Sequence, residues 1–417
     1  MMNNKSPLIF LKTIIHLFHV YSIKYRVPLL LFSVTFIIYY VTGGGPTVFN
    51  NFVRLADAFI HGRLYLKENV SWLELIPVNG KYYVIYPPMP ALLILPFVAL
   101  RGMMFDQTLG SIFVGSLNSV LVYLLAKKIF SDGSKRTDMA ALWIAILFTF
   151  GTIHWYLASV GSAWYFAQVT AVFFLLLTLN EVFGKKRPWL IGILLGAAYW
   201  SRLPVVLATP FFLIMLPDRW SKGIRENVKL LFVDYRLRFL QFLLGLGLFV
   251  GLNFLYNYLR FETIFDAAYY LQQPVTNDFW FSKGIFNPAY IKNHLNILFF
   301  KGPIFLSTFS YIQPSWAGMA IWITTPAFIF ALKSPLDKIT LACWSAILPI
   351  AFLIMSHGGT GFSQFGYRYA MDFYPFLLIL IARGRDLRWY HKLLIGIGIM
   401  VNLWGVLWIN KFGWVGS

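Results

Sequence analysis

In the segment RLADAFIHGRLYL, Arg54, Asp57 and His61 are spaced three and four residues apart, which puts all three on one face of a helix. A carboxylate held there can act as general base on a hydroxyl, provided it lies within hydrogen-bond reach and is shielded from water. The plainer alternative is an ion pair between Arg54 and Asp57 on a surface helix. A second candidate is Arg202 in WSRLP, an ionisable residue between two apolar stretches, where it must pair, bind an anion or snorkel toward headgroups. The third group lies in SQFGYRYAMDFYP, where Arg368 and Asp372 are four residues apart. With Gln364 they line a polar pocket or form an intrahelical ion pair, while Tyr367, Tyr369 and Tyr374 read as an interfacial aromatic belt. His154, Trp155 and Tyr156 also read as belt residues, and His294 and His357 are isolated and lack ligand spacing. The chain has no HExxH, DxD, P-loop, GxSxG or dinucleotide-binding pattern, so nucleotide-driven chemistry has no support. Asn69-Val70-Ser71 fits a glycosylation sequon, a short match that matters only in a eukaryotic lumen.

These residues must be positioned by elements built for lipid. Of the 417 residues 59% are hydrophobic and 12% charged, about half the usual charged share. Several apolar runs, among them residues 239–259, are long enough to cross roughly 30 Å of hydrocarbon as a helix. The composition therefore excludes a soluble globular domain and implies one all-α integral membrane domain over residues 1–417. A single cysteine, Cys343, excludes a disulfide framework and a cysteine-rich metal site. The net charge of +19 reads first as a topology signal and not as a nucleic-acid footprint.

Hydropathy gives about eleven spans. They lie near residues 27–42, 107–126, 138–157, 162–180, 188–201, 203–217, 239–258, 316–332, 339–356, 370–382 and 393–410. The N-terminal segment is basic and has no small-residue cleavage site, so it is expected to stay in the cytoplasm, unprocessed. That orientation puts most of the 35 basic residues inside, including Lys5, Lys12, Lys24, the Lys127 and Lys185 clusters, and Arg383, Arg385 and Arg388. Residues 89–100, opened by Pro87 and Pro88, are too short to span and read as a surface or re-entrant helix. Two long outer segments remain, residues 43–106 and 259–315. The first should carry a short surface helix over residues 50–62 and a turn at Asn79 and Gly80; the second, rich in aromatics and amides, could cover a groove. Outer acidic residues are few: Asp57, Glu68, Glu74, Asp106, Glu262, Asp266, Asp278 and, at the boundary, Asp372.

Beyond the residues themselves, the chain resembles the C-type polytopic glycosyltransferases, similar to the protein O-mannosyltransferase and lipid A aminoarabinose transferase superfamily. The resemblance is carried by RLADAFIHGRLYL after the first span, NGKYYVIYPPMPALLILP closing its loop, VYLLAKKIF, AAYWSRLPVVLATP and QFGYRYAMDFYPFL. It covers most of the chain to about residue 217 and weakens afterwards. It implies a polyprenyl-phosphate-linked sugar donor, an acceptor entering from outside as lipid, glycan or protein, and inverting single displacement with Asp57 as base. The chain departs from many relatives in having no carboxylate adjacent to Asp57, Tyr86 in place of a lysine before Pro-Pro, and Gly161-Ser162-Ala163-Trp164 where another acid is expected. Phosphate contact then falls to Lys81, Arg202 and Arg368, with Arg54, His61, Tyr83, Tyr86, Gln364 and Asp372 as further substrate-binding candidates.

No cofactor is expected, and one lone aspartate argues against a divalent metal, since hard cations collect several oxygen ligands. Membrane lipids are expected partners and nucleic acid is not; the location is a bacterial or archaeal cell membrane. Two other classes stay open. A lipid-linked glycan transporter or flippase would show midplane polar sites and related halves, and the polar candidates here gather at one face without an internal repeat. A non-catalytic envelope-assembly protein would produce the same partial match.

Overall fold

The computed structural model describes residues 26–130, 135–219, 221, 223–271, 278–361, 363–384 and 387–416. The expected cytoplasmic segment before Arg26, Arg385 and residues 272–277 of the second outer segment lie outside the described residues.

The first helix, α1 (Arg26–Thr42), leads into a segment holding α2 (Asn51–Ile60), an antiparallel hairpin of β1 (Leu75–Val78) and β2 (Lys81–Val84), and α3 (Met89–Arg101). The hairpin turns at Asn79 and Gly80, both with positive φ (49° and 72°), the conformation that tight two-residue hairpin turns require. Within a fold expected to be all-α, the turn expected at Asn79 and Gly80 joins two short strands, KYYV pairing with LIPV. α3 is 13 residues long, about 20 Å, shorter than the hydrocarbon and packed on α2.

The membrane bundle follows: α4 (Gln107–Phe130), α5 (Lys135–Phe150), α6 (His154–Val160), α7 (Ala163–Val182), α8 (Pro188–Tyr199) and α9 (Thr209–Met215). After the short α10 (Ile224–Lys229) come α11 (Arg236–Phe261), α12 (Ala268–Leu271), α13 (Ile291–Phe299), α14 (Ile321–Thr324), α15 (Lys338–Met355), α16 (Tyr374–Arg383) and α17 (Trp389–Leu407). Among the described residues five helices are long and apolar enough to cross a membrane, or six if α5 and α6, bent by 54°, form one span. The other expected spans fall on shorter helices. Residues 316–332 do not form a span: α14 stops at Thr324 and a 3-10 stretch, Pro326–Lys333, follows. Pro326 offers no N–H to continue the helix, and Thr325 before it is forced out of the helical region (φ −147°).

The bundle's outer surface is apolar, and its mainly apolar interior also takes in polar side chains. α11 exposes Leu237, Leu244 and Leu248 and buries Asn253, Asn257 and Arg260. α4 buries Ser111, Ser116, Asn118 and Ser119, and buried amides join it to α7: Asn118 Nδ2 donates to the Val169 carbonyl (3.0 Å) and Asn180 Nδ2 to that of Leu121 (3.0 Å). Only a lipid solvent makes so apolar an outer surface on helices of this length favourable, so the protein is an integral membrane protein. α8 and α11 approach backbone to backbone. A Cβ at Gly192 would lie 2.2 Å from the Phe242 carbonyl oxygen, and one at Gly245 2.4 Å from that of Trp189. His154, Trp155 and Tyr156 are buried, correcting their assignment to the aromatic belt. His154 has interior partners: Nδ1–H donates to the Tyr39 hydroxyl (3.0 Å) and Nε2 accepts from Asn118 (3.2 Å).

Candidate active site

Three tethers hold the loop elements over one end of the bundle. Gln107, at the start of α4, accepts from the Phe52 N–H (3.1 Å) and donates to the carbonyls of Phe49 (3.1 Å) and Gly161 (2.9 Å), pinning α2 to α4 and α6. Arg260, buried near the end of α11, donates to the Val84 carbonyl (3.0 Å) and holds the hairpin. The Met89 N–H donates to the Trp200 carbonyl (3.1 Å), bringing the Pro-Pro end of the hairpin to the break before Arg202.

At that break Arg202 is extended (φ −149°, ψ 109°) and caps the 3-10 stretch Leu203–Ala208, whose first turn holds Pro204, where a missing N–H costs least. The Arg202 guanidinium meets Asp372, at the end of the 3-10 turn Arg368–Asp372, through Nε to Oδ1 (3.3 Å) and Nη2 to Oδ2 (2.8 Å). The carboxylate is 0% exposed, so it is a buried, two-pronged ion pair. Asp372 thus pairs across the fold and not with Arg368 four residues away.

Arg368 is buried and differently placed. Its Nε donates to the Gly361 carbonyl (3.2 Å), its N–H to Gln364 Oε1 (2.8 Å), and its carbonyl accepts from Gln168 (2.8 Å). The guanidinium carbon lies 4.9 Å from the Tyr369 ring centre and 5.5 Å from that of Tyr165. Among the described residues no carboxylate pairs with Arg368 and its two terminal nitrogens make no hydrogen bond. Tyr369 also carries Arg202 on its ring (5.4 Å), so one tyrosine faces two guanidinium groups. Tyr367 and Tyr374 are buried; none of the three is the expected belt residue.

Glu74 stands on the opposite wall. Its Oε2 accepts from the Tyr86 hydroxyl and from Trp164 Nε1 (3.1 Å), which leaves Oε1 without a protein donor among the described residues. Burial, then the charge of Glu74, pushes the Tyr86 hydroxyl well above its ordinary pKa, and Arg368 pulls it back. Tyr269 is likewise pushed up, by burial and then by Tyr369 and Glu74, with Arg202 opposing. Both tyrosines therefore sense the carboxylate and a guanidinium at once. His357 closes this side, its ring 6.0 Å from Tyr269 and 6.2 Å from Tyr369, with Nδ1–H donating to the Gly359 carbonyl (2.9 Å).

The structure thus brings together Arg202, Arg368, Asp372, Gln364 and Tyr86 from the sequence candidates. Among the described residues none of the others makes a hydrogen bond or ion pair to these five. Asp57 is about a quarter exposed; its carbonyl accepts from His61 Nδ1 (2.8 Å), and its carboxylate lies 3.7 Å from the same nitrogen. The Arg54–Asp57 ion pair does not form, because Arg54 Nε donates to Asn50 (2.9 Å). Lys81 is exposed over the Tyr65 ring (4.9 Å), and Tyr83 packs against Phe261. Gln364 is spent on bracing, donating to the carbonyls of Ala317 (2.8 Å) and Thr360 (2.9 Å). Sequence reasoning missed Tyr165 and Tyr269, gave Trp164, Glu74 and His357 no role, and read Tyr369 as a belt residue. The scarcity of outer acids was the one signal pointing to Glu74. Among the described residues no three His, Cys, Asp or Glu side chains gather as a metal site.

No family model matches the sequence, and no curated protein matches it. Among solved structures, the chain is similar to the oligosaccharyltransferase of Archaeoglobus fulgidus tethered to an acceptor peptide containing the NVT sequon, at 13% identity and a TM-score of 0.44, over 94% of this chain and 55% of that one. It is also similar to the archaeal oligosaccharyltransferase AglB from Archaeoglobus fulgidus in complex with an inhibitory peptide and a dolichol-phosphate, at 14% identity and a TM-score of 0.39, over 95% of this chain and 57% of that one. The chain spans little more than half the length of the solved structures it matches.

Proposed function

We propose that this protein is a membrane glycosyltransferase that moves a sugar from a polyprenyl-phosphate donor to an acceptor hydroxyl at the outer face. The observation that carries the reading is Arg368, a buried guanidinium fixed through Nε and two aromatic rings while its terminal nitrogens have no counter-ion among the described residues. An anion relieves the cost of that charge, and a lipid phosphate at the membrane boundary is of the right sign and shape for guanidinium recognition. In the transfer step the acceptor oxygen attacks the anomeric carbon as the bond from that carbon to the phosphate oxygen breaks. The electron pair leaves with the phosphate, where Arg368 and the Arg202 edge stabilise it. The acceptor proton passes to a carboxylate, and the configuration inverts.

Asp57 is the base that the family resemblance implies. Glu74 is a second candidate, favoured by its place beside Tyr86 in the field of Arg368 and by its free Oε1. Purified protein in lipid, given a panel of radiolabelled polyprenyl-phosphate sugars and acceptors, separates these readings. Arg368→Gln is expected to slow transfer by about 10²–10³. Of Glu74→Gln and Asp57→Asn, the variant lacking the base falls comparably while the other stays within about tenfold. Transfer is expected to persist in chelator, because the charge on the leaving phosphate is met by guanidinium groups. An Arg368→Gln variant as fast as wild type would sink the phosphate assignment, and donor crossing the membrane without product would favour transport.

A further inference from the structure

The far end of α16 carries a second basic feature, separate from the site above. From Arg368 the chain runs through the 3-10 turn and the ten residues of α16 to Gly384, about 25 Å at the rise of these helices. There the last turn of Pro326–Lys333, the end of α16 and the start of α17 surround a cavity of about 300 Å3. Its walls include Phe330, Lys333, Gly384, Arg388, Tyr390 and His391, and among the described residues no acidic one lines it.

Among the described residues, several other basic side chains at this end of the bundle have carboxylate partners. Lys127 pairs with Asp138 (2.6 Å), Arg187 with Glu181 (2.9 Å), and Lys186 and Arg238 with Asp218 (3.2 and 2.7 Å). Arg383, just before the cavity, pairs with Asp337. Among the described residues Lys333 and Arg388 have no such partner. Lys333 instead sits over the rings of Phe330 (5.5 Å) and Tyr390 (5.8 Å). The same rings pack on His391, at 4.0 and 4.4 Å, and His391 Nδ1 accepts from the Arg388 N–H (3.1 Å). Lys333 therefore stands on an aromatic platform to which the Arg388 backbone is tied, and both side chains line the cavity. Around it, Ile329, Leu332, Leu336, Trp389 and Leu393 are exposed, Leu336 almost completely (97%). Cations above a rim of exposed apolar side chains match a molecule with an anionic head and hydrocarbon tails.

We infer that this cavity binds the phosphate headgroup of an anionic phospholipid, with Lys333 and Arg388 as its contacts and the apolar rim against its acyl chains. The test is retention of lipid by purified full-length protein, exchanged into phosphatidylcholine vesicles containing one-tenth phosphatidylglycerol and read by native mass spectrometry. Wild type should retain phosphatidylglycerol over phosphatidylcholine, and Lys333→Gln/Arg388→Gln should lower that preference by roughly tenfold. Lys392→Gln, which removes a cation held over Trp143 outside the cavity, should leave the preference unchanged. Thermal unfolding in pure phosphatidylcholine checks that the double variant is folded; Lys333→Arg, which keeps the charge, should retain the preference. Equal preference in wild type and the double variant, or an equal loss in Lys392→Gln, overturns the inference. If millimolar inorganic phosphate displaces the lipid and alone raises the melting temperature of wild type, the cavity takes free phosphate and the lipid assignment falls.

Discussion

Asp372 has no water to fall back on. Its carboxylate is fully buried and spent on Arg202, so removing either partner strands a charge in a dry interior. Arg202→Gln or Asp372→Asn alone should destabilise the protein by about 3–5 kcal/mol, measured as thermal unfolding in detergent, and Arg202→Gln/Asp372→Asn together should recover part of that loss. His294 gives a pH signature of its own. Its Nε2–H donates to the His357 carbonyl (2.8 Å) and its Nδ1 accepts from Tyr367 (2.7 Å), a neutral tautomer, and burial pushes its pKa down to about 4. The unfolded chain takes up that proton near pH 6.5 and the folded one resists, so the stability it confers is present above 6.5 and lost as pH falls toward 4. The melting temperature of wild type should fall between pH 7 and 5, and His294→Gln should flatten that slope. Arg202, Arg368 and Asp372 are legible in the sequence because ionisable residues near apolar runs need a reason. Their partners are not: Glu74 meets Trp164 across 90 positions and Arg202 meets Asp372 across 170, distances that no local spacing encodes.

Helices were read from hydropathy where they are long, and the hairpin turn from Asn79-Gly80, whose backbone preference is local. The reading failed at residues 316–332, where composition matched a span and the Thr325-Pro326 step broke the helix. Runs of apolar residues report what lipid tolerates, whereas proline decides what the backbone can do there. Packing between elements is finer still. Because Gly192 and Gly245 let α8 and α11 touch through backbone, Gly245→Val should drive the helices apart. The expected result is a melting temperature lower by several degrees and a loss of glycosyl transfer, since α11 carries the hairpin through Arg260; Gly247→Val, with open space around its Cβ, should do neither.

At the scale of the molecule, the proposed active site and the proposed lipid cavity mark the two ends of one bundle, and the charge distribution predicts that the cavity end faces the cytoplasm. Cys343 is fully buried, so the wild-type protein offers an impermeant thiol reagent no target in the folded state. On that background Ser71→Cys, on the hairpin side, should label in intact cells, and Lys185→Cys, at the other end, only after permeabilisation. The reverse pattern would invert the orientation and place the proposed transfer in the cytoplasm.

α11 has a property that reaches beyond packing. At 26 residues it is about 39 Å long, more than the hydrocarbon is thick, and much of its surface is open to lipid. Such a rod leans until its apolar length fits, and it leans further where the bilayer is thin. Its upper end grips the Val84 carbonyl through Arg260, and Val84 pairs with Leu75, the residue next to Glu74. Transfer is therefore expected to change with acyl-chain length, measured in vesicles of short-chain and of long-chain phosphatidylcholine.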